Sequence, residues 1–300
     1  MGQGSAVAVV EREERRRRPV AAASLLGVAL IFASGLVNRA RGDGTAELLR
    51  SVHEHAGSVT AAGIMQALGF ALLALPILFL FRAAAARAPQ VRTQLVGLVV
   101  AAPLFLALSA GLSAGARQEA ADAFVAGDAK PEVSRAEARR DCAEERRDDG
   151  ASKFAEEHEP RSGESALDAC VTGKLEDDAA DVAIGEASLA SLVVGLGLAG
   201  GIGFAVAMFY TGLWAMRSGL LTRFWGSLGM ALGIATMIGL IFFTFIWFAY
   251  FGLLLLGALP GGRPRAWEEG RAIPWPTPGE KPAGERPDDS GGETPGDRPS

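Results

Sequence analysis

The chain alternates between long runs without any charged side chain and segments that hold all of its charge. The uncharged runs cover residues 20–37, 59–81, 95–112, 189–214 and 224–259. A helix in a soluble core still presents a polar face to water, whereas a membrane-spanning helix is apolar on all sides. Because about 20 apolar residues cross the hydrocarbon core, each of the first four runs predicts one transmembrane helix.

The fifth run is too long for a single crossing. Its 36 residues would form a helix of about 54 Å, nearly twice the thickness of the hydrocarbon. We therefore predict two short spans, residues 224–240 and 243–259, joined by a turn near residues 239–244. The alternative is five spans, the last of them long and tilted or kinked.

The pattern predicts an all-α integral membrane bundle of six transmembrane helices, with a helical or irregular extracytoplasmic insert and disordered termini. The segments, in order, are a disordered basic N-terminus (1–18), helices one to three (19–115), an acidic insert (116–186), helices four to six (187–260) and a disordered Pro/Gly-rich tail (261–300). Within the tail, residues 267–275 contain two tryptophans that we expect to lie on the headgroup surface.

The arginines next to the runs predict the orientation, because Lys and Arg are retained on the cytoplasmic side. With the N-terminus inside, six spans place most of them inside, whereas Arg39, Arg41 and Arg50 fall outside and break the pattern. The first run is longer than a usual signal-peptide core, which favours a retained anchor over a cleaved signal peptide. The arginines that fit the rule are Arg12, Arg15–Arg18, Arg82, Arg87, Arg92, Arg217, Arg223, Arg263 and Arg265.

The average composition, 49% hydrophobic and 21% charged with a net charge of −5, conceals two oppositely charged parts. Residues 116–186 have 20 acidic and 10 basic side chains, a net charge of −10, so the remainder carries +5. This segregation excludes a soluble enzyme, a fibre and a nucleic-acid binder with a basic surface. The predicted partner is the lipid bilayer; a protein partner or a second copy is left open.

The acidic insert has few large apolar residues, so we expect no independent core. We expect short solvated helices instead, some of them prolonging spans three and four, with breaks at Gly150 and Pro160. Cys142 and Cys170, both in this insert, are the only cysteines. A disulfide across this loop would stabilise it by about 3 kcal/mol. Free thiols are the alternative, and a redox or metal-binding pair is less favoured because no CxxC spacing is present.

Small residues inside the runs predict close helix packing. Residues 195–200 match the GxGxxG dinucleotide pattern, but they lie within an apolar span rather than between a strand and a helix. Gly197 with Gly201, and Gly229 with Gly233, instead form GxxxG pairs that let helix backbones approach. Ala23 and Gly27 form a related pair, so spans one, four and five are expected to pack closely.

The sequence contains no catalytic constellation. His53, His55 and His158 are its only histidines, and no metal-ligand spacing or Ser-His-Asp pattern includes them. We therefore predict no catalytic, cofactor-binding or metal-binding residue and no cofactor, and we interpret the histidines as solvated.

Transport is the main alternative function. Six spans divided three and three by a long loop would place the halves in inverted orientation, as in several transporter folds. Gln66 is the candidate intramembrane polar residue, although an amide that joins two helices is the more ordinary interpretation. The favoured hypothesis is a multi-pass protein that is not an enzyme and has an accessory, structural or sensing role. The alternative is a small transporter or channel with a site between the two halves.

Two segments resemble known proteins. RSGLLTRFWGSLGMALG at residues 217–233 and GGRPRAWEEGRAIPWP at residues 261–276 resemble uncharacterised polytopic membrane proteins of actinobacterial type. The first segment is also similar to a bacterial multispan family of unknown function. The resemblance implies a bacterial plasma-membrane protein with a break between spans five and six, and no catalytic residues. Independently, 25 of the 29 basic residues are Arg, as GC-rich coding favours.

Overall fold

The computed structural model describes residues 3–158, 164–238 and 240–275, and within them every regular element is a helix. This confirms the all-α class. The helices are α1 (Gln3–Val37), α2 (Thr45–Glu54), α3 (Ala56–Arg87), α4 (Val96–Ala126), α5 (Arg135–Asp149), α6 (Ala151–Glu157), α7 (Ala166–Glu186), α8 (Ala190–Arg217), α9 (Arg223–Ala235), α10 (Ile241–Leu256) and α11 (Arg265–Glu269), with 3-10 turns at Thr93–Leu95 and Thr236–Ile238.

Four helices are long and apolar enough to cross a membrane: Ala6–Val37, Ala56–Arg87, Thr93–Ala126 and Ala190–Arg217. They contain the first four uncharged runs. The fifth run is broken into the two shorter helices α9 and α10, and the break lies within a few residues of the predicted turn.

The apolar helices pack in the cyclic order α1, α3, α4, α8, α9 and α10, with α10 returning against α1. Glycines set the closest approaches: a Cβ atom on Gly27 of α1 would lie 3.0 Å from the carbonyl oxygen of Gly69 in α3. Buried hydroxyls also join neighbours, as where Ser24 donates to the Phe248 carbonyl across α1 and α10 at 2.7 Å. The side chains between the helices are mainly aromatic and aliphatic.

The N-terminal segment corrects a prediction. Residues 1–18 were expected to be disordered, but α1 begins at Gln3 and runs without interruption into the first apolar run. Its polar first half is held by tertiary contacts. Glu13 pairs with the buried Arg87 of α3, and a Cβ on Gly270 would lie 2.6 Å from the Ala6 carbonyl oxygen. The segment is thus part of the bundle.

The first part of the tail also differs from the prediction of disorder over residues 261–300. Trp267, on the short helix α11, is 5% exposed and packs in the main core instead of lying on the headgroup surface. Ile273 donates its backbone N–H to the Ser218 carbonyl at 3.1 Å. Trp275 donates its indole N–H to the Leu221 carbonyl at 2.8 Å. The remaining residues of the tail, 276–300, lie outside the described part of the chain.

At the opposite end of the bundle, α4 extends well past the apolar run and meets α2 and α7. This is the prolongation predicted for span three. Span four is not prolonged in the same way, because α7 and α8 are separate helices interrupted at residues 187–189. Gly150, at φ 80°, separates α5 from α6 as expected. Pro160 lies outside the described residues.

The insert has small cores, which corrects the expectation of none. One is built mainly from alanines of α2, α4 and α7. The other surrounds the cysteines and consists of Ala138, Cys142, Phe154, Cys170 and Val171. Short side chains allow these helices to approach closely, so a core forms although large apolar residues are few.

Candidate functional site

A cavity of about 600 Å³ lies between the N-terminal half of α1 and the end of α3. Both helices carry arginines there, at the point where their uncharged runs meet the charged flanks. The cavity combines cationic side chains with an apolar wall. Its lining residues are Val9, Arg12, Glu13, Arg16, Phe79, Phe81, Arg82, Ala83, Ala85, Ala86, Thr93 and Val96.

The three arginines of the cavity lining are free to bind a ligand. Arg12 and Arg16 are four residues apart, so they lie on one face of α1, and Arg82 comes from α3. All three are exposed, and within the described residues none forms an ion pair or a side-chain hydrogen bond. The lining therefore has an uncompensated positive charge.

Glu13, the carboxylate in this lining, is held by Arg87. Two guanidinium nitrogens of Arg87 donate to the two carboxylate oxygens at 2.6 and 2.8 Å, a paired geometry typical of strong Arg–carboxylate contacts. Arg87 also donates to the backbone carbonyls of Ala266 and Ala83, each at 3.0 Å. Its side chain is 0% exposed. The pair thus joins α1, α3 and α11 and removes the negative charge of Glu13 from the cavity.

The apolar wall is supported by the tail. Phe79 stacks on Trp267 with ring centroids 5.7 Å apart and planes 6° apart. The Trp267 indole N–H donates to the Leu220 carbonyl at 2.9 Å, and the Arg87 guanidinium lies over its ring at 5.5 Å. Arg87, Phe79 and Trp267 therefore form one rigid unit beside the cavity. Cationic side chains against a fixed apolar wall can bind an anionic amphiphile.

A second cluster surrounds the cysteines at the other end of the molecule. The Sγ atoms of Cys142 and Cys170 lie 2.03 Å apart, the distance of a disulfide bond, so the pair has the predicted geometry. The structure also brings Glu145 and His158 to Cys170, which the sequence-based interpretation missed. The available signal was local: Glu145 lies three residues after Cys142, on the same helix face, and His158 lies between the two cysteines in sequence.

The predicted packing glycines of α8 have unequal surroundings. A Cβ on Gly197 would lie 3.1 Å from Ser109 Oγ of α4, whereas Gly201 has open space beside it. Gly200 and Gly203 make the close contacts with α4 instead, where an added Cβ would meet Leu106 at 2.9 Å and Ala102 at 3.0 Å. The contact predicted for Gly201 is therefore made by its neighbour Gly200. The two residues point in different directions because successive residues of a helix are rotated by about 100°.

Both predicted glycines of α9 lie against neighbouring helices. A Cβ on Gly229 would lie 2.9 Å from the Trp247 indole nitrogen of α10. One on Gly233 would lie 2.8 Å from Met208 Cβ of α8. These glycines let α9 fit between α8 and α10.

Gln66 is half-buried in α3. It shares a helix face with the buried Val59, Phe70 and Leu73, which are seven, four and seven residues away. Within the described residues its amide makes no hydrogen bond, and it does not line the 600 Å³ cavity.

The other two histidines, His53 and His55, make local contacts at the end of α2. His53 Nδ1 lies 2.7 Å from Asp122 of α4, and His55 Nδ1, just after α2, lies 3.0 Å from the Ser51 carbonyl oxygen of that helix. No family model, no curated protein and no solved structure matches the chain.

Proposed function

We propose that the protein is a non-enzymatic, six-span protein of the bacterial plasma membrane whose inner-face cavity binds the phosphate headgroup of an anionic phospholipid. Its role is accessory, structural or sensing. The observation that carries the proposal is the cavity between α1 and α3, in which Arg12, Arg16 and Arg82 face an apolar wall and have no ion-pair or side-chain hydrogen-bond partner in the described part of the chain.

Six crossings are supported by the positions of the helix ends. Contacts of Arg87, Trp267 and Ile273 gather the start of α1, the end of α3, the α8–α9 turn and the tail at one end of the bundle. Since α8 already finishes at this end, the proposed topology has α9 lead away from it and α10 return. Phe242, at the start of α10, packs on Phe32 of α1, five residues before that helix ends. The hairpin of α9 and α10 thus reaches a level five residues short of the end of α1.

The orientation follows from charge. The end of the bundle that holds the cavity has the basic flanks of α1 and α3, which the positive-inside rule assigns to the cytoplasm. The insert with its cysteine pair lies at the other end, in a compartment where disulfides persist. The N-terminus and the described part of the tail are then cytoplasmic.

The ligand class follows from the lining. Guanidinium groups bind phosphate oxygens in a paired geometry, and the cytoplasmic leaflet of a membrane contains anionic phospholipid. Val9, Phe81 and Val96 offer an apolar surface beside the arginines, which suits the acyl region of the same molecule. A soluble phosphate ester would use the arginines alone, so the two sources are separable by experiment.

Lipid binding is tested by removing the three charges together. We expect R12Q/R16Q/R82Q to bind phosphatidylglycerol about 100-fold more weakly than the unmodified protein, because each arginine near an anionic surface contributes about 1 kcal/mol. Binding is measured by titrating purified protein in neutral nanodiscs with phosphatidylglycerol, phosphatidylcholine or inorganic phosphate.

The matched control is R135Q/R139Q/R140Q, which removes three exposed arginines of α5 at the other end of the molecule. This variant is expected to keep the affinity for phosphatidylglycerol. Equal binding of phosphatidylglycerol and phosphatidylcholine would contradict the proposal. So would equal losses in the two triple variants, or displacement of the lipid by inorganic phosphate at comparable concentration.

The topology predicts which cysteines can be labelled in whole cells. In C142S/C170S, a cysteine introduced at the exposed insert position as Ser152→Cys is expected to react with a membrane-impermeant maleimide in whole cells, because the insert lies outside; the native cysteines are too buried to serve as the probe. In C142S/C170S, a cysteine introduced as Ser300→Cys is expected to react only after the cells are permeabilised. Labelling of the tail in intact cells, with no reaction of the insert, would reverse the orientation.

A further inference from the structure

Three side chains with metal-binding atoms converge at the disulfide, and a fourth is bonded to one of them. The Sγ atom of Cys170, a ring nitrogen of His158 and a carboxylate oxygen of Glu145 all lie within 4.8 Å of one another. Cys142 adds a second sulfur, bonded to Cys170. Two thiolates, an imidazole and a carboxylate are the donor types that Zn²⁺ takes in tetrahedral sites.

His158 is already oriented as a ligand. Its Nδ1 lies 3.1 Å from the Phe154 carbonyl oxygen, and because a carbonyl only accepts, Nδ1 carries the hydrogen. Nε2 is therefore the atom that faces Glu145, at 3.7 Å from Oε1. The ring also stacks on the buried Phe154, with centroids 4.5 Å apart. A backbone carbonyl behind a metal-binding histidine is the usual arrangement that fixes its tautomer.

Glu145 is oriented in a similar way. Its second oxygen, Oε2, accepts from Lys174 Nζ at 3.0 Å, which leaves Oε1 directed towards His158. Glu145 and Cys142 are on α5, Cys170 and Lys174 are on α7, and His158 follows α6. The donors therefore come from separate helices that the disulfide ties together.

We propose that the cysteine pair has a second state, in which the reduced thiols bind Zn²⁺ together with His158 and Glu145. A dithiol reductant transfers two electrons and two protons to the disulfide; its S–S bond breaks, two thiols form and the reductant becomes a disulfide. Zn²⁺ then replaces the two thiol protons, which are released to solvent. Disulfide and zinc are mutually exclusive, and both link α5 to α7.

The geometry suits this exchange. Tetrahedral ligand distances of 2.0–2.3 Å require neighbouring donors to be about 3.3–3.8 Å apart, so the donors of Glu145, His158 and Cys170, now within 4.8 Å of one another, need to move by only about 1 Å. The two sulfurs separate when their bond breaks, which brings them towards the same spacing. A cell-envelope segment that responds to both thiol reduction and zinc fits a sensing role, although this inference does not depend on lipid binding at the inner cavity.

The test is metal binding by the full-length protein in nanodiscs. After reduction with a phosphine, we expect one Co²⁺ per chain, with the visible d–d bands of tetrahedral cobalt and a thiolate-to-cobalt charge-transfer band, followed by displacement of Co²⁺ by Zn²⁺. The oxidised protein is expected to show neither band. H158A and E145Q are each expected to lower the zinc affinity at least tenfold.

Two nearby variants serve as controls. E144Q changes the exposed carboxylate next to Glu145, and H53A removes the histidine that contacts Asp122 of α4. Both variants are expected to retain the zinc affinity of the reduced protein. The inference is overturned if the reduced protein binds zinc no more tightly than C142S/C170S. It is also overturned if H158A and E145Q behave like these two controls.

Discussion

Glu13→Ala is expected to destabilise the folded bundle by about 3–5 kcal/mol, the cost of leaving a buried charge without its partner. The Arg87 guanidinium is 0% exposed and donates twice to Glu13, so loss of the carboxylate leaves a buried charge without its counter-ion. Trp267, which lies beneath the same guanidinium, should report the change. We expect a lower midpoint of thermal unfolding in nanodiscs, followed by tryptophan fluorescence.

Glu14 provides the matched control, since it is adjacent in sequence and pairs with Arg17 at 3.3 Å, with its side chain 63% exposed. Glu14→Ala is expected to cost less than about 1 kcal/mol. The double variant E13A/R87M should be more stable than E13A alone, because it removes the unpaired charge and keeps an apolar side chain. Equal losses for E13A and E14A, or no recovery in the double variant, would show that the buried pair does not secure this end of the bundle.

The sequence predicts the apolar helices well because one rule applies along a whole membrane span: its residues have to be predominantly apolar. The first four uncharged runs correspond to the four long apolar helices, and excess length alone predicts a break in the fifth. The docking of the first half of α1 and of residues 265–275 follows no such rule. Glu13 and Arg87 are 74 residues apart, and among many charged neighbours nothing local distinguishes this pair from solvated side chains.

The contact between α2 and the acidic insert could not be predicted from the sequence either. Arg50 breaks the positive-inside pattern when the loop is considered alone, but in the fold it donates to Glu176 of α7 at 2.6 Å and lies 5.4 Å from the Phe124 ring centroid. Asp177, next to Glu176, accepts from the Ala46 backbone N–H at the start of α2 at 2.8 Å. The acidic insert thus supplies the partner of Arg50, which charge counting along the chain cannot reveal.

The metal-capable cluster was missed for a related reason. Motif spacing recognises ligands only when they are close in sequence, whereas Cys142, His158 and Cys170 come from three helical segments.

Gly200 and Gly203 illustrate a finer limit. A GxxxG match identifies a glycine-rich helix but does not specify which of its faces meets α4, and the contact face lies beside the predicted one.

C142S/C170S is expected to destabilise the insert locally by about 3–4 kcal/mol, the chain-entropy effect of opening a loop with a sequence separation of 28 residues. The small core around the cysteines includes Phe154 and Val171 but few other large side chains, so little else opposes separation of α5 from α7. Hydrogen–deuterium exchange should show faster exchange at the backbone amides of both helices, by about 100-fold or more if they open together.

The effect should stay within the insert, because α1, α3 and α8 have their own core and do not contact the cysteines. Amides of α8 are the internal control and should keep their exchange rates. A chelator is present throughout, so that bound zinc cannot replace the cross-link. Ser134→Ala, which removes the side-chain cap of α5, should cost about 1 kcal/mol and marks the size of an ordinary local loss. If C142S/C170S exchanges no faster than S134A, the cysteine bond does not hold these helices together. If α8 loosens equally, the insert and the membrane bundle unfold as one unit.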